Sequence, residues 1–230
     1  MNLKNILCFI PARKGSKGIK NKNERKINGK ELYRYTFETA KKLKNKVTTL
    51  VSTDSKNILN ASKKYNFFDN GLRPKILSGD KVLTIDVLKY ELKKIEEKLN
   101  YQFKYILLLQ ITSPFRNEKK ILNAIKFIKS KKYDSVVSIS DVSGYHPDRM
   151  KIIQGKYLKN YNKSKKENMM PRQCLKKTYI RSGSFYLIEK KSLIKNNSFV
   201  GNRCKGILLK GKETINIDSK IDLLVAKLFK

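Results

Sequence analysis

Residues 10 to 23, Ile-Pro-Ala-Arg-Lys-Gly-Ser-Lys-Gly-Ile-Lys-Asn-Lys-Asn, follow directly on the apolar run Ile6 to Ile10 and set two glycines among the cations Arg13, Lys14, Lys17, Lys20 and Lys22. A buried strand that ends in a glycine-rich turn presents backbone N–H groups, and clustered cations add positive potential where a triphosphate can lie. The chemistry this suggests is the binding of a polyphosphate. The spacing is neither Gly-x4-Gly-Lys-Ser/Thr nor Gly-x-Gly-x-x-Gly, so the loop has to be read on its own terms. Arginine usage adds a second handle. Only nine of the 53 basic residues are Arg, and an Arg kept where Lys is plentiful is informative for its planar, bidentate fork. Arg13, Arg73, Arg116, Arg149, Arg172 and Arg181 fall in motif-like stretches, whereas Arg25, Arg34 and Arg203 do not.

These residues need elements to hold them. Apolar runs at 5 to 10, 47 to 52, 105 to 110 and 135 to 140 read as short buried strands. Helical spacing joins Leu32, Thr36, Ala40 and Leu43, then Ile58, Leu59, Ala61 and Tyr65, then Val87 or Leu88 with Leu92, Ile95 and Leu99, then Ile121, Ile125 and Ile128, and finally Ile221, Leu224, Val225 and Leu228. Strand and helix alternating in this order predict an α/β fold: a Rossmann-like mixed, mostly parallel sheet with helices on both faces. In such sheets ligands sit beyond the carboxyl ends of the strands. The first strand runs into the Arg13 loop and the third into Gln110-Ile-Thr-Ser-Pro-Phe-Arg116. The stretch from about 141 to 178 resists the pattern and reads as an insertion, irregular or a hairpin, whose Met150, Ile152, Ile153, Tyr157 and Leu158 have to be buried somewhere.

Composition narrows the rest. A chain of 230 residues that is 40% hydrophobic suits a single domain, 1–230, with this small appendage. Cys8, Cys174 and Cys204 are odd in number with no C-x-x-C spacing, which favours neither a disulfide framework nor a zinc site. His146 is the only histidine, so a multi-histidine metal centre is excluded. Ile6 to Ile10 is too short for a signal-peptide core or a membrane span, and the expectation is a cytoplasmic protein with no membrane partner. The formal charge of +34 raises the question of nucleic acid. The lysines are spread over nearly every segment rather than gathered in a stripe or tail, so no nucleic-acid partner is expected.

Taken in order, Ile10-Pro-Ala-Arg-x-Gly-Ser-Lys-Gly-Ile with Lys22-Asn23, Val51-Ser-Thr-Asp54, Leu72-Arg-Pro74, Leu108-Leu-Gln-Ile-Thr-Ser-Pro-Phe-Arg116, Ser135-Val-Val-Ser138, Pro171-Arg-Gln173 and Ile217-Asp218 resemble the CMP-sialic acid synthetases, the acylneuraminate cytidylyltransferases. The matches span residues 5 to 225; each is weak alone, and seven in order are specific. The resemblance implies transfer of CMP from CTP to the anomeric 2-hydroxyl of a nonulosonic acid, with pyrophosphate released and Mg²⁺ as cofactor. It implies that Arg13, Gly15, Ser16, Lys17, Lys22 and Asn23 hold the nucleotide, Arg13 and Lys22 nearest the reacting phosphates, and that Arg73 lies near the cytidine. Gln110 then faces the sugar, with Arg149, Arg172 and Arg181 as further sugar contacts, and Asp218 with Asn216 forms the metal position. Arg13, Lys22 and Asp218 are thereby the catalytic set. It also implies a homodimer built through about 141 to 178, with Arg172 reaching the neighbour's site.

Several of these residues have a plainer reading. Ser16 and Asn23 also suit a turn or a helix cap, and Asp218 stands where an N-cap is expected before the last helix, with Ser219 as a second capping candidate. For Ser52-Thr53-Asp54 a strand-end turn capping the next helix suffices. Arg116 is divided evenly between positioning its loop and touching substrate. His146 before Pro147 reads as a turn residue. The chain also departs from the family pattern. Asn216 stands where a carboxylate is common, and an amide oxygen ligates without charge. Arg181 falls one place after the family's sugar-side arginine, which in a regular strand reverses its face unless a bulge intervenes. Arg149 stands in a lysine position, Ile111 in a proline position and Gly79 in a serine position. These departures gather on the sugar side and leave the acceptor open among N-acetylneuraminate, legionaminate and related acids, with pseudaminate and Kdo less well matched. A homologue that binds CTP without turnover is the remaining alternative.

Overall fold

The structure, a computed structural model, describes residues 3–15, 18–142, 144–162 and 169–229. In chain order the strands and α-helices are β1 (Ile6–Pro11), β2 (Lys26–Ile27), β3 (Lys30–Glu31), α1 (Leu32–Lys42), β4 (Thr48–Ser52), α2 (Lys56–Lys64), α3 (Thr84–Leu99), β5 (Tyr105–Leu109), α4 (Glu118–Lys129), β6 (Ser135–Asp141), β7 (Lys151–Gln154), β8 (Tyr157–Asn160), β9 (Tyr179–Glu189), α5 (Lys190–Asn196), β10 (Cys204–Leu208) and α6 (Lys220–Lys227). The four strands and five helices expected from periodicity are all present. The β2–β3 ribbon, β9, α5 and β10 fall outside that pattern, because they are very short or carry polar residues and glycine in place of an apolar run.

Six strands form one sheet in the order β10-β6-β9-β5-β1-β4. β1 runs parallel to β4 and β5, and β10 runs parallel to β6; β9 lies antiparallel between β5 and β6. The sheet is therefore mixed and mostly parallel, as predicted. Along β1 the side chains alternate between two cores, Ile6, Cys8 and Ile10 facing one and Leu7 and Phe9 the other. A strand buried on both faces needs apolar residues at every position, which is why β1 and β5 read as continuous runs. The first core takes Phe37 of α1, Ile58 of α2, Ile121 and Ile125 of α4 and Ala226 of α6; the second takes Leu88, Leu92 and Ile95 of α3 and Leu193 of α5. Full burial of each such large side chain stabilises the fold by roughly 1.5–3 kcal/mol.

From β1 the chain passes to β4 on one side of the sheet and later returns to β5 on the other. Adjacent connections that leave in opposite directions open a crevice at the carboxyl ends of the strands between them. The insertion is a hairpin, β7 paired with β8 through a two-residue turn at Gly155 and Lys156, with Gly155 at φ 62° as tight hairpin turns require. Its apolar residues are not buried within the chain. Ile153 and Leu158, a cross-strand pair on one face, are 82% and 67% exposed, and Tyr157, Met150 and Met169 are exposed as well.

Candidate active site

A cleft of about 410 Å³ opens at the carboxyl ends of β1 and β5, lined by Arg13, Lys22, Asn23, Arg73, Gln110 and Asp218 together with Gly18, Asp80, Thr84 and Val87. Its floor is the loop after β1, which the end of β4 clamps through the backbone. Ala12 N donates to Ser52 O at 2.8 Å, Thr53 Oγ1 donates to Ala12 O at 2.6 Å, and Lys14 N donates to Asp54 Oδ1 at 2.6 Å. Asn23 Nδ2 donates to Arg13 O at 2.8 Å from a short 3-10 turn, so this buried amide shapes the loop while lining the cleft. The Ser52–Asp54 stretch is thus more than a helix cap. The cap of α2 is the next residue, Ser55, whose Oγ accepts from Ile58 N at 3.4 Å.

Two distant segments meet at Lys22. Its ammonium donates to Ile217 O at 2.9 Å and to Asp218 Oδ1 at 3.0 Å. Asp218 Oδ2 accepts from Asn216 Nδ2 at 2.5 Å, and Ser113 Oγ donates to Asn216 Oδ1 at 3.3 Å. The capping question at α6 is decided by Ser219, which forms a reciprocal capping box with Asp222 and leaves the Asp218 carboxylate turned to the cleft. Gly18 explains itself here: a Cβ on it would lie 2.6 Å from Asp218 O, so only glycine lets the two segments approach.

Arg13 Nη1, also in the cleft lining, donates to Asp80 Oδ1. Arg73 is 6% exposed and fixed by Nε to Ser52 Oγ at 2.9 Å and Nη2 to Ser52 O at 2.5 Å. Burial lowers its pKa, opposed by the nearby carboxylates of Asp54 and Glu91, and at neutral pH it remains a cation. Gln110 closes the third side, where a bulge in β9 breaks its register against β6 between Val137 and Ile139. Ser138 holds the bulge by donating to Phe185 O at 3.0 Å while accepting from Phe185 N at 2.9 Å and Ser182 Oγ at 2.7 Å. The bulged Gly183 has φ +77°, and a Cβ there would lie 3.0 Å from Gln110 Oε1 and 3.6 Å from Asn216 Oδ1. The face of Arg181 therefore cannot be read by counting alternate residues back from Phe185.

The remaining candidates are placed as follows. Arg181 is exposed, outside the cleft lining, and close enough to Tyr186 to oppose the rise that burial imposes on that phenol. Arg149 and Arg172 are also exposed and do not line the cleft; Arg149 Nη2 donates to Met170 O at 2.9 Å within the insertion. Gly15 is exposed beside the cleft loop without lining the cleft, and Ser16 and Lys17 lie outside the described residues. Arg116 is a positioning residue: it donates to Ser184 O, Thr36 Oγ1 and Gln110 O, tying β9, α1 and the post-β5 loop together. His146 is a turn residue, its Nδ1 accepting from Asp148 N at 3.1 Å and its Nε2 meeting Lys176 O at 2.9 Å. Ser52, Asp54 and Asp80 support the site although nothing in their local sequence marks them for chemistry. Each acts through a partner far away in the chain, and no local spacing signals that.

The donor set bears on a metal. Among the described residues no three or more His, Cys, Asp and Glu side chains cluster, and the cleft offers two carboxylates, Asp80, which accepts from Arg13, and Asp218, with the Asn216 amide beside it. Mg²⁺ is commonly bound by one or two carboxylates together with substrate phosphates and water, so this set fits a cation carried largely by phosphate.

The comparisons agree with this geometry. The sequence model of the Cytidylyltransferase family matches residues 7–196. The chain is 34% identical to the CMP-N,N'-diacetyllegionaminic acid synthase of Legionella pneumophila over 94% of this chain and 92% of that protein. It is 30% identical to the post-translational flagellin modification protein B of Campylobacter coli, over 96% and 93%. In fold it resembles a CMP:2-keto-3-deoxy-manno-octonic acid synthetase complexed with CTP, with a TM-score of 0.66 at 14% identity, covering 97% of each chain. A clamped cationic loop after β1, a carboxylate brought to it from the far end of the chain and a family match over most of the sequence lead to one assignment: the chain belongs to the cytidylyltransferase family.

Proposed function

We propose that this cytidylyltransferase transfers CMP from CTP to the anomeric 2-hydroxyl of a nonulosonic acid of the legionaminate or sialate type, releasing pyrophosphate for surface glycan synthesis. The observation that carries this reading is the convergence of Arg13, Lys22, Arg73 and Asp218 on one cleft at the carboxyl ends of β1 and β5. Arg13 and Lys22 bind the triphosphate and hold charge where the pyrophosphate leaves, and Arg73 donates to the cytosine; fixed cations at developing negative charge need no reorganisation during the reaction. Gln110, at the Gly183 bulge, faces the sugar, and Arg181, two residues before Gly183 and exposed outside the cleft lining, is the candidate that would reach its carboxylate. Asp218 would hold Mg²⁺, with Asn216 orienting the carboxylate through its amide nitrogen. When bound, the ion supplies Lewis-acid stabilisation of the phosphates. The relative from Legionella pneumophila, a CMP-N,N'-diacetyllegionaminic acid synthase by name, puts a diacetamido acid first among the acceptors.

The test is pyrophosphate release from CTP and Mg²⁺ with N,N'-diacetyllegionaminate, N-acetylneuraminate and pseudaminate, beside Kdo and a no-sugar control. Release above the control with one of the first two is the expected result. Silence across the panel while CTP still binds would overturn turnover on these acceptors and favour a CTP-binding homologue without it.

The reading includes a homodimer formed through the β7–β8 hairpin. A lone two-stranded hairpin is marginal in water, and the exposed Ile153–Leu158 pair gives it an apolar face to bury against a second copy. The protein is expected to sediment as a dimer at micromolar concentration, and Ile153→Lys combined with Leu158→Lys to sediment as a monomer. A monomeric wild type would refute the dimer. Cys8, Cys174 and Cys204 are free thiols and no helix among the described residues is long and apolar enough to cross a membrane; we place the reaction in the cytoplasm.

A further inference from the structure

Behind Arg73 lies a carboxylate that the reaction scheme does not use. Glu91 on α3 is 1% exposed, and an ionised carboxylate is kept at such depth only when its oxygens are matched by donors. Both are: Ser52 Oγ donates to Glu91 Oε1 at 2.6 Å, and Asn70 Nδ2 donates to Oε2 at 2.6 Å. Ser52 Oγ in turn accepts from Arg73 Nε at 2.9 Å, while Ser52 O accepts from Arg73 Nη2. A hydroxyl has one proton to give. Because Glu91 takes it, the Ser52 oxygen presents lone pairs to Arg73, and the guanidinium is locked in one plane. Among the described residues Arg73 Nη1 has no protein acceptor, and Arg73 lines the cleft, so the locked fork shows its remaining N–H groups to a ligand.

We propose that Glu91 is a positioning residue for nucleotide selection: through Ser52 it fixes the plane and charge of Arg73, so that the fork is ready for the adjacent acceptors on the pyrimidine edge of a cytosine. Cytosine presents two neighbouring acceptors where uracil presents an acceptor beside an N–H donor, and a rigid fork separates them better than a mobile one. The inference rests on the reading of Arg73 as a nucleotide contact. The plainer role, tying α3 to β4, predicts changes in stability alone.

Glu91→Gln tests it with little loss of shape. Asn70 Nδ2 holds the new amide by its oxygen, which turns the NH₂ toward Ser52 Oγ; the hydroxyl then meets a donor where it had an acceptor and no longer gives its proton away from Arg73. Calorimetric titration of CTP and UTP is expected to show CTP binding weakened roughly 10-fold with UTP nearly unchanged, and kcat at saturating CTP within about two-fold of wild type, as loss of ground-state positioning requires. Ser52→Ala, which cuts the relay while leaving Glu91 to Asn70, is expected to shift the CTP-to-UTP ratio the same way. Arg73→Lys should lose at least as much CTP affinity, and the double variant with Glu91→Gln should be no worse than Arg73→Lys alone. If Arg73→Lys binds CTP like wild type, the nucleotide role of Arg73 is wrong. If Arg73→Lys loses affinity while Glu91→Gln and Ser52→Ala keep the wild-type CTP-to-UTP ratio, or the losses simply add, the inference about Glu91 is overturned.

Discussion

Arg13→Ala is expected to slow pyrophosphate release from CTP by roughly 100- to 1,000-fold, the loss typical of removing one preorganised donor from developing charge. The variant is clean because the loop does not depend on the side chain. Its path is fixed by Ala12 N to Ser52 O, Thr53 Oγ1 to Ala12 O and Asn23 Nδ2 to Arg13 O, all independent of the guanidinium. Among the described residues the one side-chain bond lost is to Asp80, a partly exposed pair, and such pairs contribute at most about 1 kcal/mol. The melting temperature should therefore fall by no more than about 4 °C. Arg13→Lys restores charge without the fork and is expected to recover only part of the rate. A loss below about five-fold in Arg13→Ala would remove Arg13 from the phosphate site.

Gly183→Ala is expected to damage the acceptor end of the cleft and spare the nucleotide end. Alanine at φ +77° meets the strain that left-handed backbone imposes on residues with a Cβ, about 1–2 kcal/mol, and the melting temperature should drop by about 5 °C. The same Cβ presses on Gln110 Oε1. That atom is the far end of a flexible side chain, so it moves rather than blocking folding, and Gln110 leaves the orientation proposed for the sugar. Misplacement of about 1 Å near a reacting group costs up to 100-fold. The measured signature is a KM for the acceptor raised at least ten-fold with the dissociation constant of CTP unchanged. An unchanged acceptor KM in a folded variant would show that Gln110 does not face the sugar.

Sequence alone determined the alternation of buried strands and amphipathic helices, the sheet type that follows from it, and the cationic glycine loop at the end of the first strand. These were legible because each is written within a short window: a run buried on both faces, a helical stripe, a turn next to a strand. The tertiary structure decided how the site is assembled. Lys22 meets Asp218 across 196 residues, Arg13 meets Asp80 across 67, and Ser52 meets Glu91 across 39. A contact between segments that far apart leaves no periodicity, and in a chain with 53 basic residues a functional cation looks like any other until its partner is seen. The capping of α6 by Ser219 and the bulge at Gly183 were equally a matter of folded geometry. In each, a hydrogen bond chosen only after the backbone is in place determines which neighbouring residue faces the cleft.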